Sequence, residues 1–312
     1  MLSKNNYDYV DRVFYKDSRD MQEIPNGTVQ LIVTSPPYFN IKDYSKDGRQ
    51  EKSHSHKVKG QIGDISEFKH YIEELLKVWK ECERKLKPNG KLVINAPLMP
   101  MIKKNFSTHR NRHIFDINSS VQHSILTSTK LFLLDTYIWS RKTSTKKLMF
   151  GSYPYPPNFY AQNTIEFVAV YVKDGITEKP PQEIKEKSKL TQKEWVNFTK
   201  QIWVIPIPNK KDLAFGKHSA LMPEEIVRRC VKLFSFVDDI VLDPFVGSGT
   251  TLKVAKELNR RYIGYEICKS YKHIIDLKLG GALIESLPEL AKIIGFEEAS
   301  EPAQPVAEKW YR

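Results

Sequence analysis

The sequence predicts an α/β fold built on a doubly wound, mostly parallel sheet, and three observations lead to this class. Short β-branched runs alternate with segments of helical period along most of the 312 residues. Two of these runs, at residues 31–33 and 239–242, pass directly into polar or glycine-containing turns. The chain is also long enough to bury the large core of such a sheet. In sheets of this class, ligands bind beyond the carboxyl ends of the strands.

The predicted strands are short runs of β-branched and aromatic residues that end at polar or turn-forming positions. They cover residues 10–15, 31–33, 91–95, 135–140, 164–171, 239–242 and 261–267. The second of them stops before Pro36 and Pro37, because proline has no N–H to donate to a sheet ladder.

The predicted helices are the segments in which apolar residues recur every three to four positions. They begin near Asp64, Val121, Pro223, Leu252 and Tyr271. Asp64 and Glu67 have the spacing of a capping box, and Pro223 suits the first turn of a helix. The turn signal at residues 87–90 ends the first helix.

Five stretches lack a regular period. Residues 40–62 are polar and charged, and a loop of this length is expected to be mobile and functional. Residues 99–120 are basic and predicted to be irregular up to the helix near Val121, and residues 149–160 are too rich in proline for regular structure. Residues 173–212 are expected to form an inserted segment, and residues 297–312 to fray.

The charge of the chain favours a polyanion as partner. The formal net charge is +12 and the pI is about 9.3. Between residues 99 and 150 there are nine lysine and arginine residues against two acidic ones, and residues 42–59 form a second basic stretch. Clustered cations of this kind neutralise phosphates, although a solvated basic face is the alternative for either cluster. The candidate DNA-binding residues are Lys103, Lys104, Arg110, Arg112, Arg141, Lys142, Lys146 and Lys147.

The cysteines predict neither a disulfide framework nor a metal site. Cys82, Cys230 and Cys268 are odd in number and widely spaced, and no Cys-x-x-Cys pair occurs. We expect Cys82 and Cys230 to lie on the buried faces of helices. No run is apolar enough for a leader or a membrane span, so a reducing, cytoplasmic setting is the expectation.

The first chemical motif is Thr34-Ser35-Pro36-Pro37-Tyr38, at the end of a buried strand. The prolines make the chain stiff and extended as it leaves the sheet. This places a hydroxyl, free backbone carbonyls and an aromatic ring where a ligand can reach them.

The second motif covers residues 243–251, where a strand ends in Gly247-Ser248-Gly249 and a helix begins. The glycines allow a sharp bend and a close approach to a ligand. No lysine follows Gly249, so the turn is not a phosphate loop of the Walker type. Glu266 ends the next strand, where a carboxylate can accept hydrogen bonds from a ribose diol. An adenosine-type ligand without a diphosphate fits this combination best.

The two motifs together resemble those of the amino-methyltransferases of bacterial and archaeal DNA modification. Their order, with the Ser-Pro-Pro-Tyr motif first, resembles the β group of that family, and most of the chain takes part in the likeness. Weaker similarities lie at residues 86–92, at 139–142 with 151–153 and Glu166, and at 218–225, where Ser219 replaces a common proline. Residues 40–62 and 173–212 match no motif.

The resemblance implies one catalytic domain over residues 1–312 with a Rossmann-like fold, S-adenosyl-L-methionine as methyl donor, and duplex DNA as substrate. It implies catalytic roles for Ser35, Pro36, Pro37 and Tyr38. The implied cofactor-binding residues are Asp17, Thr34, His218, Asp243, Pro244, Phe245, Gly247, Gly249, Thr250, Thr251 and Glu266. It further implies a flipped target base, a prokaryotic cytoplasm, a possible cognate restriction endonuclease, and a state that is monomeric or homodimeric. Residues 173–212 are the candidate target-recognition insertion.

The choice of base depends on Ser35. In the family that the chain resembles, serine at this position usually accompanies cytosine-N4 methylation, and aspartate or asparagine usually accompanies adenine-N6 methylation. Cytosine-N4 is therefore the first expectation and adenine-N6 the second. A non-catalytic DNA-binding protein, or an enzyme acting on RNA or protein, is the alternative from another class.

Overall fold

The fold is seen in a computed structural model that describes residues 8–39, 58–102, 112–141, 155, 161, 163–210, 212–215 and 221–280. Within these ranges the strands are β1 Arg12–Phe14, β2 Val29–Thr34, β3 Leu86–Ile102, β4 Arg112–Asp116, β5 Leu131–Arg141, β6 Ile165–Lys173, β7 Ile202–Ile205, β8 Ile240–Asp243 and β9 Arg261–Tyr265. The α-helices are α1 Phe68–Lys85, α2 Ile117–Ser128, α3 Gln182–Lys187, α4 Gln192–Phe198, α5 Glu224–Phe234, α6 Thr250–Glu257 and α7 Lys272–Lys278.

The strands form a single mixed sheet in the order β1-β9-β8-β2-β3-β6-β5-β7, and β4 folds back on the end of β3. Strands β1, β9, β8, β2 and β3 are parallel, as are β5 and β7, whereas β6 runs against both β3 and β5. The predicted class, a doubly wound and mostly parallel sheet, is therefore confirmed. The central pair, β2 and β8, comes from parts of the chain about two hundred residues apart, aligned with Leu31 opposite Val241.

Helices cover both faces of the sheet, which is why the central strands are apolar on both sides. Helices α1 and α2 pack on one face, where Trp79, Cys82 and Ile125 are fully buried. Helices α5 and α6 pack on the other, where Cys230 and Val254 are fully buried. The expectation that Cys82 and Cys230 belong to the core is confirmed.

The first half of the chain departs from the predicted boundaries. Glu67, not Asp64, caps α1, since its carboxylate accepts from the N–H groups of Lys69 and His70. The described parts of residues 99–120, which are 99–102 and 112–120, are not irregular: β3 continues to Ile102, where it pairs with β4, and α2 begins at Ile117 rather than near Val121. The side chain of Asp116 caps α2 by accepting from the N–H of Ser119.

The segment 173–212 is not wholly an insertion. It carries the short helices α3 and α4, but it ends in β7, which pairs with β5 and belongs to the sheet. Trp203 on β7 is fully buried, so this strand is part of the core. Of the loop predicted at 40–62, only residues 58–62 lie in the described part, and residues 297–312 lie outside it.

None of the helices in the described ranges combines the length and apolar character that crossing a bilayer requires.

Candidate active site

Polar and acidic side chains form a row across six neighbouring strands, at the level where β1, β9, β8 and β2 end, β3 continues and the antiparallel β6 begins. In the order of the sheet they are Asp17 after β1, Glu266 after β9, Asp243 on β8, Ser35 after β2, Asn95 on β3 and Glu166 near the start of the antiparallel β6. The row crosses the point between β8 and β2 at which the two predicted motifs meet. Clefts at such strand ends are the usual ligand sites of open α/β sheets.

A buried hydrogen bond joins the two motifs. The hydroxyl of Thr34 donates to Oδ1 of Asp243 over 2.7 Å, and the backbone N–H of Phe245 donates to the same oxygen over 3.0 Å. The hydroxyl of Thr251 donates to the carbonyl of Val33 over 3.3 Å. The end of β2 and the turn after β8 are thus held as one unit.

The diproline segment is fixed from the side of α1. Tyr71 donates its hydroxyl to the carbonyl of Pro37 over 2.8 Å, and Phe39 is buried against the rings of Phe68 and Tyr71. Pro36 is buried, whereas Ser35, Pro37 and Tyr38 keep partial access to solvent. The segment therefore presents its serine and tyrosine side chains on a rigid backbone.

Two glycines shape the turn before α6. Gly249 has φ +87° and occupies the position just before the helix, a left-handed conformation that favours glycine. Gly264 on β9 faces this turn, and a Cβ added there would lie 2.4 Å from Cγ2 of Val246 and 2.8 Å from Cδ1 of Leu252. The turn can therefore pack on β9 only because residue 264 has no side chain.

Glu266 is a buried carboxylate fixed by backbone N–H groups. Gly247 donates to its Oε2 over 2.7 Å and Cys268 donates to its Oε1 over 2.8 Å. Burial is the largest influence and raises the pKa of Glu266 to about 7, in spite of these two hydrogen bonds. Each carboxylate oxygen can accept a further hydrogen bond. A ligand with neighbouring hydroxyl groups, such as a ribose, fits this site, because its hydroxyl groups can donate to the two carboxylate oxygens.

Asp17 belongs to a small ionic cluster. Arg19 pairs with Asp17 and with Glu74 of α1, and it also donates to the carbonyl of Gly60 over 2.9 Å. The Asp17 side chain is 37% exposed, so one side of it still faces solvent. The cluster ties the segment after β1 to α1 and to the described end of the 40–62 loop.

Lys278 is a site residue that the sequence did not reveal. Its ammonium donates to Ser248 Oγ over 3.2 Å and to Thr250 Oγ1 over 3.0 Å, and it pairs with Asp212 at 3.0 Å. The side chain is 2% exposed, and burial is the main cause that lowers its pKa. A lysine near the end of a helix normally suggests a solvated position, so only the three-dimensional contact identifies it.

The predicted DNA-binding residues are mostly outside the described ranges. Lys103, Lys104, Arg110, Lys142, Lys146 and Lys147 lie there, as does the predicted cofactor residue His218. Arg112 lies on β4. Arg141 lies on β5, with its guanidinium 3.4 Å from Glu166 and its side chain 21% exposed. Its most direct partner is thus internal, and its contact with DNA stays a prediction.

Comparison with known proteins agrees with this geometry. A family model described as DNA methylase matches residues 29–277. The Type II methyltransferase M.MjaI of Methanocaldococcus jannaschii is 33% identical over 285 residues, covering 86% of this chain and 91% of that protein. The Type II methyltransferase M.MthZI of Methanothermobacter thermautotrophicus is 28% identical, covering 87% and 77%.

Solved structures share the fold over most of the chain. A Thermus thermophilus protein described as a putative DNA modification methylase, in complex with S-adenosyl-L-methionine, superposes with a TM-score of 0.68 at 29% identity. The match covers 89% of this chain and 96% of that one. The PvuII DNA methyltransferase, described as cytosine-N4-specific, superposes with a TM-score of 0.62 at 19% identity and covers 91% of each chain.

Proposed function

Because the chain belongs to the DNA methylase family whose model spans residues 29–277, we propose that it methylates the exocyclic N4 amine of cytosine in duplex DNA. S-adenosyl-L-methionine is the cofactor. The biological setting that we propose is a restriction–modification system, since its relatives are named Type II methyltransferases. The observation that carries the proposal is the Thr34–Asp243 hydrogen bond, which joins Ser35-Pro36-Pro37-Tyr38 to the glycine turn.

The amine half of the site is Ser35 with the diproline. An aryl amine is a weak nucleophile because its lone pair is delocalised into the ring. Ser35 Oγ and the Pro36 carbonyl can accept its two N–H groups and so favour a localised lone pair. The partly exposed ring of Tyr38 can stack on a base that has left the duplex, since a stacked amine is out of reach.

The donor half lies across β8, β9 and β1. Glu266 is the group that we assign to the ribose hydroxyls, Asp17 to the adenine, and residues 247–251 to the remainder. When bound, the cofactor supplies an electrophilic methyl group. The protein then contributes chiefly proximity and alignment, because the Thr34–Asp243 hydrogen bond keeps the two halves adjacent.

The cysteines support transfer to an amine rather than to a ring carbon, which needs a cysteine nucleophile. Cys82 and Cys230 are buried in helices, and burial is the main cause that raises both thiol pKa values. Cys268 lies on the cofactor side, where its N–H donates to Glu266.

The choice of cytosine rests on Ser35 alone, and the second candidate is adenine N6. A neutral hydroxyl can serve either amine, so the product decides between them. Purified full-length protein should be incubated with S-adenosyl-L-methionine carrying a tritiated methyl group and with duplex DNA of mixed sequence. The DNA is then hydrolysed to nucleosides, and the labelled nucleoside is identified by mass spectrometry.

N4-methyldeoxycytidine is the expected product. If N6-methyldeoxyadenosine is found instead, the target base is adenine and not cytosine. In parallel reactions with RNA or with protein as acceptor, label there but not in DNA would overturn the substrate class. Folded protein that binds the cofactor but transfers no label to any DNA would point to a non-catalytic DNA-binding role.

A further inference from the structure

Four polar side chains form a line across adjacent strands on one face of the sheet. Ser35 follows β2, Asn95 lies on β3, Glu166 on β6 and Arg141 on β5. Thr34 is opposite Ile94, so Ser35 and Asn95 stand at the same level. Because side chains alternate between faces, each of the four shares a face with the apolar residue two positions before or after it. Those neighbours, Val33, Val93, Val168 and Trp139, all belong to the core beneath α5.

The contacts run along this line. The side-chain amide of Asn95 donates through Nδ2 to Oε2 of Glu166 over 2.8 Å. Glu166 Oε1 lies 3.4 Å from Nη1 of Arg141, and Nη2 of Arg141 donates to the carbonyl of Asn163. Asn95 is 3% exposed and Glu166 4% exposed.

The direction of the Asn95 amide follows from the charge of its neighbour. An ionised carboxylate only accepts hydrogen bonds, so the NH₂ of Asn95 must face Glu166. Glu166 faces Arg141 as an ion-pair partner on its other side. The carbonyl oxygen of Asn95 is therefore turned away from Glu166. It is buried, and it has no hydrogen-bond partner among the residues that the structure describes.

We propose that Asn95 is a further substrate-contacting residue, whose Oδ1 accepts a hydrogen bond from the exocyclic amine of the target base. It shares one N–H of that amine with Ser35 Oγ in a three-centre hydrogen bond, and the other N–H is left for the Pro36 carbonyl. This rests on the proposed function. A buried acceptor without a partner is costly, and a substrate donor would remove that cost. The exocyclic amine is the donor that cytosine and adenine both carry on their pairing edge, where the ring nitrogen is an acceptor. Glu166 and Arg141 are positioning residues that keep the acceptor of Asn95 aimed at the amine.

The test compares a target base with and without its amine. Once the recognition sequence is known, a duplex is made with the target cytosine, and a second with pyrimidin-2-one, which lacks only the 4-amino group. If the target is adenine, purine takes that place. Dissociation constants for both duplexes, single-turnover methylation rates and the dissociation constant of S-adenosyl-L-methionine are measured for the wild type and for Asn95→Ala.

The wild type should bind the amine-bearing duplex more tightly. In Asn95→Ala that preference should shrink, and the methylation rate should fall about tenfold, the equivalent of one hydrogen bond. Cofactor affinity should stay unchanged. Glu166→Gln should cause a smaller loss, because glutamine can present either an acceptor or a donor to Asn95. In the double variant Asn95→Ala/Glu166→Gln, the second change should add nothing to the first.

A merely structural role of Asn95 makes different predictions. Val170→Ala removes fully buried volume from the same strand as Glu166 and the same face, and it serves as the control for lost stability. It should lower the melting temperature while keeping the preference for the amine. If Asn95→Ala behaves like Val170→Ala, the inference is wrong although the wild type still methylates DNA. If the wild type methylates no DNA, the proposed function itself has failed.

Discussion

Ser35 differs in its hydrogen-bonding options from the aspartate or asparagine that the resemblance associates with adenine-N6 methylation. A hydroxyl has one proton to donate, so it can accept from an amine only if that proton points elsewhere. Ser35 stands at the level of Asn95 on the neighbouring strand and keeps partial solvent access. Ser35 therefore brings no charge to the reaction, and its contribution depends on the direction in which its hydroxyl points.

Replacing Ser35 by alanine should reduce methyl transfer without affecting cofactor affinity. The Pro36 carbonyl remains as one acceptor, so the maximal rate should fall about tenfold to a hundredfold rather than to zero. The measurement is single-turnover methylation together with calorimetric titration of S-adenosyl-L-methionine. Ser128→Ala, an exposed serine at the end of α2, is the matched control and should match the wild type. Equal rates for Ser35→Ala and Ser128→Ala would remove Ser35 from the reaction.

Glu266 should make cofactor binding depend on pH. Its pKa in the unliganded protein is about 7, raised from 4.5 chiefly by burial. Because this pKa is raised, the stability that Glu266 contributes to the unliganded fold is fully present below pH 4.5 and is lost as pH rises through about 7. Ribose hydroxyls donate to the ionised form, so binding should strengthen between about pH 5.5 and 7.5 and level off above.

Titration calorimetry in two buffers of different ionisation enthalpy should show proton release on binding near pH 6. Asp243, whose burial raises its pKa to about 6, titrates in the same range. Glu266→Gln separates the two groups, because it should weaken binding and remove the part of the pH dependence above pH 6. An unchanged profile in Glu266→Gln would assign the effect to another group.

The turn between β8 and α6 depends on an adjacent strand as much as on its own glycines. Val246 donates its backbone N–H to the carbonyl of Tyr265 over 3.0 Å, and Gly247 donates to Glu266. Lys278 of α7 holds two hydroxyl groups of the same turn. The turn is thus shaped by β9, by the residue that follows β9 and by α7 before any ligand arrives, which reduces the ordering cost of binding.

Gly264→Ala should displace this turn, because residue 264 lies on β9, the strand against which the turn packs. The added Cβ would overlap Val246 and Leu252, so we expect the free energy of unfolding to fall by about 1–3 kcal/mol. Cofactor affinity should fall as well, because the turn is displaced. Urea unfolding and calorimetric titration measure the two effects. In Gly264→Ala/Val246→Ala the closest overlap is removed and only the Leu252 side chain has to move, so the combined loss should be smaller than the sum of the single losses. Strict additivity would contradict the overlap.

Sequence patterns located the elements better than their ends. The apolar runs predicted β2 and β8 because these strands are buried on both faces, and this signal is local. The cap of α1 was placed at Asp64 instead of Glu67, because both acids are plausible caps and only backbone geometry decides. The sequence predicts this strand only as far as Asn95, because the continuation of β3 to Ile102 depends on pairing with β4, which is not a local property.

The same difference between local signals and long-range contacts applies to the candidate site. Ser35, Asp243 and Glu266 could be found because each ends a strand, and strand ends are visible in the sequence. Asn95 and Lys278 could not, since their significance lies in burial and in partners far along the chain. A lone asparagine in an apolar run and a lysine in a helix have no sequence signature of their own.

The two ends of the strands carry different kinds of residues and connecting segments. The row from Asp17 to Glu166 lies towards the edge where the parallel strands end, and the segments that connect β3 to β4 and β5 to β6 leave from the same edge. These connections contain most of the predicted DNA-binding lysines and arginines. The opposite edge carries turns such as the one at Asn89, where the backbone has φ +58°. We therefore expect these two connections to contact DNA that approaches this edge of the sheet.

This polarity predicts which lysines contribute to the salt dependence of DNA binding. Lys146 and Lys147 lie in the β5–β6 connection, whereas the exposed Lys80 and Lys130 lie towards the opposite edge. Each phosphate contact adds about one to the slope of log K against log salt. Lys146→Ala/Lys147→Ala should therefore reduce the slope by about 2, and Lys80→Ala/Lys130→Ala should leave it unchanged although both double variants lose the same net charge. Titration of a labelled duplex at several salt concentrations measures the slopes. Equal reductions in the two variants would mean that net charge, and not the position of the cations, governs DNA binding.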